Sequence, residues 1–430
     1  MRFKNKKRVV VTGLGMVTAL GLTVQENWQK ALSGESGIRK IAYPNADHAP
    51  VQAVGDVRPH DWEKIGMAFR EDSAAEGEKR TLFALWSAKN ALDDAAAAGN
   101  SYDRKRFGVV LAAGLPINRI EDIHNWVDTG KEFDFGRFGK ENHKVHKESI
   151  VRNNSHRAAA LIGKRFFLKG CNATITTACA SATQAIGTGY RMIQRGDADL
   201  MVVGGADSMI NPVGLVFFVL LGAASVSSKE PATVCRPFDR KRSGLVMGEG
   251  GGIAVLEEES HALKRGARIY AEVAGYGSGM DAYQVTAPHP KGIGAEKSMQ
   301  NALRDANLNP EAIDYINAHG TGTKLNDTAE TLAIKRVFGD HAHVLSISSS
   351  KSLIGHLLAA SGGPEFVFTV LSVYENEIHP TVNLTNRDPK CDLDYVPLVK
   401  QSKTVGAALS NSFGFGGQNA SIIVRKYQGA

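Results

Sequence analysis

Cysteine is scarce in this sequence, and the few thiols lack the spacing of a metal site or a disulfide framework. Four cysteines occur among 430 residues, at positions 171, 179, 235 and 391, and no two of them form a C-x-x-C pair. Structural zinc sites and disulfide scaffolds depend on such clustered cysteines. We therefore expect reduced thiols, no bound metal and a cytoplasmic protein.

Long apolar runs and nucleic-acid motifs are also missing. A basic N-terminal segment precedes an apolar stretch, as in a signal peptide, but Gly13 and Gly15 interrupt it, and no run in the chain reaches membrane-spanning length. Lys and Arg number 51 against 44 Asp and Glu, a net charge of +7, and the two signs are interspersed. The sequence predicts no membrane span and no nucleic-acid partner, whereas an acidic protein partner suits the charge.

Strand and helix signals alternate along most of the chain, which is typical of an α/β protein with largely parallel, buried sheets. The predicted strands cover residues 9–12, 108–112, 173–176, 200–203, 270–274, 315–317, 344–348, 406–410 and 420–424. The predicted helices cover residues 82–98, 181–194, 295–306, 328–338 and 363–374. Because the pattern restarts, we expect two similar halves, residues 1–262 and 263–430, with a surface excursion near residues 118–149.

Residues 13–18 follow the first predicted strand and partly match a dinucleotide-binding fingerprint. Its third glycine position is occupied by Thr18, where the fingerprint needs glycine for close helix packing. We therefore interpret Gly13 and Gly15 as turn glycines after a buried strand and predict no nicotinamide or flavin cofactor.

Residues 176–182 set one thiol, Cys179, between a predicted strand and a predicted helix that Gly196 ends. A helix N-terminus favours a thiolate, and its free N–H groups can hold a developing oxyanion. A buried structural cysteine is the alternative interpretation. Cys179 is accordingly a candidate nucleophile.

Three further motifs lie at predicted strand ends. Residues 317–323 contain His319, residues 350–356 contain Lys351 and His356, and residues 411–419 form a glycine-rich segment with two phenylalanines. Each motif alone could be an ordinary loop. Because open α/β sheets collect their functional residues at strand ends, we expect these motifs to form one site with Cys179.

With these motifs in this order, the sequence resembles the β-ketoacyl-acyl-carrier-protein synthases, most closely the elongating type II branch of the thiolase superfamily. The resemblance runs from residues 8–15, through 204–206, 236–239 and 248–250, to residues 411–417. It implies a five-layered αβαβα thiolase fold, a homodimer, and decarboxylative Claisen condensation that uses neither metal nor cofactor.

The resemblance also implies roles for the candidate residues. Cys179 would carry the acyl chain received from an acyl carrier protein, and the N–H groups of Cys179 and Phe415 would form the oxyanion hole. His319 and His356, as neutral imidazoles, would donate hydrogen bonds to the malonyl thioester carbonyl. Lys351 would orient and tune His356 or Cys179.

Other residues match family positions around this centre. Glu330 would belong to the lysine network, although Asp327-x-x-Glu330 also resembles a helix capping box. The remaining matches would bind substrate: Thr321 and Thr323 at the pantetheine arm, Phe415 with Phe218 at the gate of the acyl pocket, Phe413 beside the substrate, and Leu115 in the acyl tunnel. Ordinary core packing is the alternative interpretation of Leu115.

Several departures from the family pattern point to a specialised pocket or partner surface. Ala19, Cys171, Ser243 and Leu245 replace residues that are usual in the family, and residues 214–228 are unusually apolar. Fatty-acid and polyketide elongation both stay open, as does a heterodimer with a ketosynthase-like subunit.

Two alternative functions share this fold. A non-catalytic chain-length-factor subunit lacks the nucleophile, which Cys179 argues against, and a thiolase uses a second cysteine, which Cys391 is badly placed to supply. Because acyl carrier proteins are acidic, a basic surface is expected to steer them, with Lys79, Arg80 and Arg242 as candidates.

Overall fold

The structure is a computed structural model that describes residues 6–43, 46–72, 78–97, 102–115, 124–145 and 154–429. The strands are β1 (Val9–Val17), β2 (Arg39–Lys40), β3 (Ala53–Val54), β4 (Phe107–Ala112), β5 (Asn172–Ile175), β6 (Leu200–Ser208), β7 (Glu249–Glu258), β8 (Ala271–Met280), β9 (Tyr315–Asn317), β10 (Ser346–Ser348), β11 (Glu377–Ile378), β12 (Gln401–Ser402), β13 (Ala407–Gly414) and β14 (Gln418–Arg425). The helices are α1 (Val24–Leu32), α2 (Pro59–Ala68), α3 (Lys79–Asp94), α4 (Phe135–Glu141), α5 (Arg157–Arg165), α6 (Ser181–Arg195), α7 (Pro212–Leu220), α8 (Glu259–Lys264), α9 (Ile293–Ala306), α10 (Lys324–Phe338), α11 (Lys351–Ile354) and α12 (Gly362–Glu375).

The main sheet repeats one strand arrangement twice. Its first half has the order β1-β7-β6-β4-β5, and its second half has the order β8-β14-β13-β9-β10. In each half the first two neighbour pairs are antiparallel and the last two are parallel. A short antiparallel pairing of β1 with β8 joins the halves. The chain is therefore built from two similar halves, as predicted, but the sheet is mixed and not largely parallel.

Helices cover both halves in layers. α3 packs on β1, β7 and β6, and α5 packs on β4, whereas α9 packs on β8 and β14 and also contacts α10. α6 and α12 each contact strands of both halves, so they lie between them. The middle of α12 is almost entirely apolar and buried because strands flank it on two sides. The result is the predicted five-layered αβαβα thiolase fold.

The glycines of the first strand serve helix packing. Gly13 and Gly15 lie inside β1, which continues to Val17, and not in the predicted turn. A Cβ atom on Gly13 would lie 2.2 Å from the carbonyl oxygen of Ala91, and one on Gly15 would lie 2.0 Å from that of Ser87. The close approach of α3 to β1 accounts for both glycines.

β7 and α7 are among the elements that were not predicted. β7 begins with Glu249 and three glycines, so it carries little strand propensity, yet it is the second strand of its half-sheet. A Cβ atom on Gly252 would lie 2.2 Å from the backbone nitrogen of Pro364, so the glycine lets β7 contact the start of α12. α7 is apolar on all sides and is capped by Asn211, whose side chain accepts the N–H of Gly214.

Residues 124–145, the described part of the predicted excursion 118–149, form short helices that are mostly exposed. Phe133, Phe135 and Phe138 pack on one another there. Among the helices of the described residues, none is long and apolar enough to cross a membrane.

Candidate active site

Cys179 lies in the turn that joins β5 to α6. Ala178, just before it, has a φ of 49°, in the left-handed region that is strained for alanine. α6 runs from Ser181 to Arg195, and Gly196, with a φ of 81°, caps its end as predicted. The tight turn directs Cys179 into a cavity of about 520 Å³.

The surroundings of Cys179 favour the protonated thiol over the thiolate. Burial raises its pKa to about 12, although the charge of Lys351 and a hydrogen bond from the N–H of Phe415 both oppose the shift. Desolvation therefore opposes the thiolate that the helix N-terminus was expected to favour. The bond from Phe415 does place one backbone donor beside the sulfur, as an oxyanion hole requires.

His319 follows β9 and is held from both sides. The backbone N–H groups of His319 and Gly320 donate to the two carboxylate oxygens of Glu330, each at 2.8 Å. The ammonium group of Lys351 donates to Nδ1 at 3.3 Å. Since Nδ1 accepts a hydrogen bond, the imidazole carries its proton on Nε2.

His356 follows α11 and has the same tautomer. The N–H of Leu358 donates to its Nδ1 at 3.0 Å, and the hydroxyl of Ser361 lies 2.7 Å from the same atom. The rings of His319 and His356 are 5.3 Å apart between centroids and nearly perpendicular. Burial lowers the pKa of both imidazoles well below the ordinary value, and the charge of Lys351 adds to the effect. Both rings are neutral donors at Nε2.

Lys351 pairs with a residue that the sequence analysis missed. Its ammonium group forms a buried ion pair with Glu365 of α12, not with Glu330, and it contacts His319, not His356. Burial raises the pKa of Glu365, and the charge of Lys351 opposes this shift. No motif marks Glu365, but a carboxylate inside an otherwise apolar helix is itself a signal of a buried partner.

Glu330 acts through the backbone of residues 319 and 320. Burial raises its pKa to about 7 despite the two N–H groups that it accepts. The proposed capping box is wrong, because the N-cap of α10 is Thr323, whose hydroxyl accepts the N–H of Asn326. Asp327 instead accepts the N–H of Phe238.

Most of the predicted substrate-binding residues share the cavity. Thr321, Thr323, Phe413 and Phe415 line it with Cys179 and the two histidines. Phe218 on α7 stacks against Phe415, with ring centroids 6.5 Å apart. Gly416, next to this ring, has a φ of 78° and open space around it.

Leu115 is not with these residues. It is 56% exposed and does not line the cavity. The basic residues proposed for carrier docking also differ from expectation, because Arg80 and Arg242 are buried and Lys79 pairs with the buried Glu249. Arg242 forms ion pairs with Asp388 and Asp327. Each of the three basic side chains pairs with a buried carboxylate, so they are poor candidates for a docking surface.

The sequence matches two family descriptions in succession. Residues 6–262 match beta-ketoacyl synthase, N-terminal domain, and residues 270–385 match beta-ketoacyl synthase, C-terminal domain. The chain belongs to the β-ketoacyl synthase family.

Individual relatives support this assignment over the whole chain. A 3-oxoacyl-[acyl-carrier-protein] synthase 2 of Synechocystis sp. is 40% identical over 425 residues, which cover 98% of this chain and 99% of that protein. A solved structure of a type II PKS acyl-carrier protein in complex with its ketosynthase bound to the hexaketide has 33% identity and a TM-score of 0.88, covering 98% of this chain and 100% of the matched chain. The ishigamide ketosynthase/chain length factor has 31% identity and a TM-score of 0.85 over the same shares. This β-ketoacyl synthase is therefore an acyltransferase of the elongating ketosynthase class, as predicted.

The other cysteines of this β-ketoacyl synthase lie away from the cavity. Cys235 is buried and its thiol donates to the carbonyl oxygen of Lys351 at 3.0 Å, and Cys391 is buried in a turn. Among the residues that line the cavity, Cys179 is the one thiol. The second cysteine that a thiolase mechanism needs is not found among them.

Proposed function

We propose that this β-ketoacyl synthase elongates an acyl chain held on Cys179 by condensing it with a malonyl unit delivered by an acyl carrier protein, with loss of carbon dioxide. The carrying observation is that one cavity is lined by a thiol and by two neutral imidazoles that both present an Nε2–H. A thiol suits acyl transfer, and two convergent donors suit an enolate.

The first step is a thioester exchange. The sulfur of Cys179 attacks the thioester carbonyl of the acyl carrier protein, and the carrier's pantetheine thiol leaves. The proton lost by Cys179 ends on the departing sulfur, so no separate base is consumed. The N–H groups of Cys179 and Phe415 stabilise the oxyanion of the tetrahedral intermediate.

The second step removes the malonyl carboxylate. His319 and His356 donate their Nε2 protons to hydrogen bonds with the malonyl thioester carbonyl. The bond to the carboxylate breaks, carbon dioxide leaves, and the electron pair forms an enolate that the two donors stabilise. Neutral imidazoles serve this step because they bind the enolate oxygen without forming an ion pair with the carboxylate that must leave.

The third step joins the two units. The enolate carbon attacks the acyl carbon on Cys179, and the oxyanion hole stabilises the second tetrahedral intermediate. Its collapse expels the Cys179 thiolate, which takes up one proton and restores the resting thiol. Lys351 and Glu330 touch no reacting atom and act by positioning His319.

Phe415 and Phe218 control entry of the acyl chain, while Thr321 and Thr323 contact the pantetheine arm. The stacked rings and the glycine beside them, with its positive φ, give Phe415 a mobile attachment. The two threonine hydroxyls lie 2.9 Å apart at the cavity wall, within reach of an amide. Leu115, being exposed, is left as a candidate for the acyl tunnel only in an assembled dimer.

The partner is an acidic acyl carrier protein, consistent with the net charge of +7. A homodimer is the simplest assembly, and a heterodimer with a chain-length-factor subunit is the second candidate, since the ishigamide ketosynthase/chain length factor structure is similar over the whole fold. A free thiol nucleophile requires a reducing compartment, which favours the cytoplasm.

The test follows both half-reactions with purified protein. Intact mass spectrometry measures transfer of acyl groups of different length from acyl carrier protein to Cys179, and release of carbon dioxide measures decarboxylation of malonyl carrier protein. We expect both reactions in the wild type and neither covalent transfer nor condensation in Cys179→Ser. A folded protein that no carrier substrate acylates would refute the enzyme function and favour the chain-length-factor role.

A further inference from the structure

The tautomer of His356 depends on a strained turn. Leu358 to Ala360 form one turn of 3₁₀ helix, and Leu358 adopts a φ of 52°. A left-handed conformation costs a non-glycine residue about 1–2 kcal/mol. The N–H of Leu358 nevertheless points at Nδ1 of His356. Something outside the turn must therefore hold it.

Asp207 holds this turn from the other half of the molecule. It lies near the end of β6 and is 1% exposed. One carboxylate oxygen accepts the N–H of Ala359 at 3.1 Å, and the other accepts the N–H of Ser208 at 2.9 Å. The turn is thus fastened to a central strand by a buried carboxylate.

The surroundings keep the carboxylate ionised near neutral pH. Burial raises the pKa of Asp207 to about 6, and the charge of Arg80 opposes a larger shift. Arg80 is itself buried and donates to the carbonyl oxygens of Gly114 and Leu115. Arg80 also pairs with the buried Glu78 at 3.2 Å, so its burial is explained by these partners and not by a docking role.

We propose that Asp207 is a positioning residue that keeps His356 a hydrogen-bond donor at Nε2 by holding the turn of residues 358–360. The inference rests on the proposed function of His356. Without the carboxylate, the buried N–H of Ala359 loses its acceptor, which costs about 1–3 kcal/mol. The turn then lowers its free energy by relaxing the strained φ of Leu358, and the backbone N–H of Leu358 no longer donates to Nδ1 of His356. The imidazole can now carry its proton on either nitrogen, so the donor to the malonyl carbonyl is lost for part of the time.

A competing role for Asp207 is purely electrostatic. Its charge raises the pKa of the Cys179 thiol, although as a minor contribution beside burial. If this were the main role, removal of the charge would speed acylation of Cys179 and leave decarboxylation unchanged. The two roles therefore predict opposite patterns for the two half-reactions.

The experiment compares Asp207→Ala and Asp207→Asn with the wild type in both half-reactions. For Asp207→Ala we expect malonyl decarboxylation to fall about 30-fold or more, while single-turnover acylation of Cys179 stays within about 3-fold. Asp207→Asn keeps one acceptor oxygen for two N–H groups, so it should lie between the alanine variant and the wild type. Partial rescue by the isosteric amide distinguishes the lost hydrogen bond from a lost side chain.

The control is Glu257→Gln, which removes another buried carboxylate from the same sheet; Glu257 pairs with Arg265 and lies near the opposite end of β7 from the residue that faces Asp207. It should leave the ratio of the two rates unchanged even if stability falls. Equal loss of both half-reactions in Asp207→Ala, or faster acylation with normal decarboxylation, would overturn the inference. If Asp207→Ala does not fold, an unchanged ratio in Asp207→Asn overturns it. A wild type that performs neither half-reaction instead refutes the proposed function.

Discussion

Removal of one imidazole donor tests the division of labour in the cavity. In His319→Ala the Nε2–H is lost, whereas Cys179, the N–H of Phe415 and the ion pair of Lys351 stay in place. A preorganised donor to a developing oxyanion in a buried site is worth about 100-fold to 1000-fold in rate, or about 3–4 kcal/mol. We expect the decarboxylation rate to fall by this factor and not to zero, because His356 retains the second donor.

The same variant should acylate Cys179 almost normally. The thioester exchange uses the sulfur and the backbone donors, and no hydrogen bond to Nε2 of His319. His319→Gln is the matched variant, because its amide can present an N–H near the former Nε2. It should recover at least about one tenth of the wild-type decarboxylation rate.

The assay separates the steps in time. Rapid quench with intact mass spectrometry gives the acylation rate, and trapped carbon dioxide from labelled malonyl carrier protein gives the decarboxylation rate. A comparable loss of both rates in His319→Ala would show that the imidazole acts on Cys179 or on the fold. In that case the donor role assigned to His319 would be wrong.

Three further predictions concern stability. Gly15→Ala drives a Cβ atom into the backbone of α3 and should lower the free energy of unfolding by about 3 kcal/mol, measured with denaturant. The control Gly139→Ala has open space around its position in α4 and should be neutral or stabilising by up to about 1 kcal/mol. Equal effects of the two substitutions would contradict the packing argument. Lys351→Met leaves the buried Glu365 carboxylate unpaired and should lower the free energy of unfolding by about 3–5 kcal/mol. The double variant with Glu365→Gln should recover part of this stability, and no recovery would count against the ion pair. Because the pKa of Glu330 rises from 4.5 to about 7 on folding, the folded protein binds more protons between these pH values, and stability falls as pH rises through them. Relative to wild type, Glu330→Gln should therefore gain about 3 kcal/mol between pH 4.5 and 7.5 in thermal or chemical unfolding, and a pH-independent difference would refute this linkage.

The sequence was most informative where one short motif carries one function. Cys179, His319 and His356 each follow a predicted strand, and the structure brings all three into one cavity. Glu365 and Asp207 were not predicted, because their partners Lys351 and Ala359 lie 14 and 152 residues away in the sequence. Such pairings depend on how helices and strands are stacked, which local patterns do not encode.

The fold shows the same limit. Alternating signals predicted the two halves and the hairpin of β13 and β14, but not β7, whose glycines permit close packing against neighbouring segments, as Gly252 does against α12, and carry little strand propensity. The direction of the strands was also misjudged, since buried apolar runs occur in antiparallel strands when helices cover both faces. Residues such as Arg80 looked like surface charges because part of what holds the buried guanidinium, the carbonyl oxygens of Gly114 and Leu115, is distant in the sequence.

The repeated strand order has a consequence for the origin and the divisibility of the enzyme. One copy of the unit carries Cys179, and the other carries His319 and His356, so the proposed site needs both copies. Because α6 and α12 pack against both half-sheets, neither half has a complete hydrophobic core without the other. Severing the chain between α8 and β8 should therefore give fragments that are inactive alone and regain turnover only when they are produced together. An ancestor with a single unit would have needed to pair with itself before its two copies could specialise.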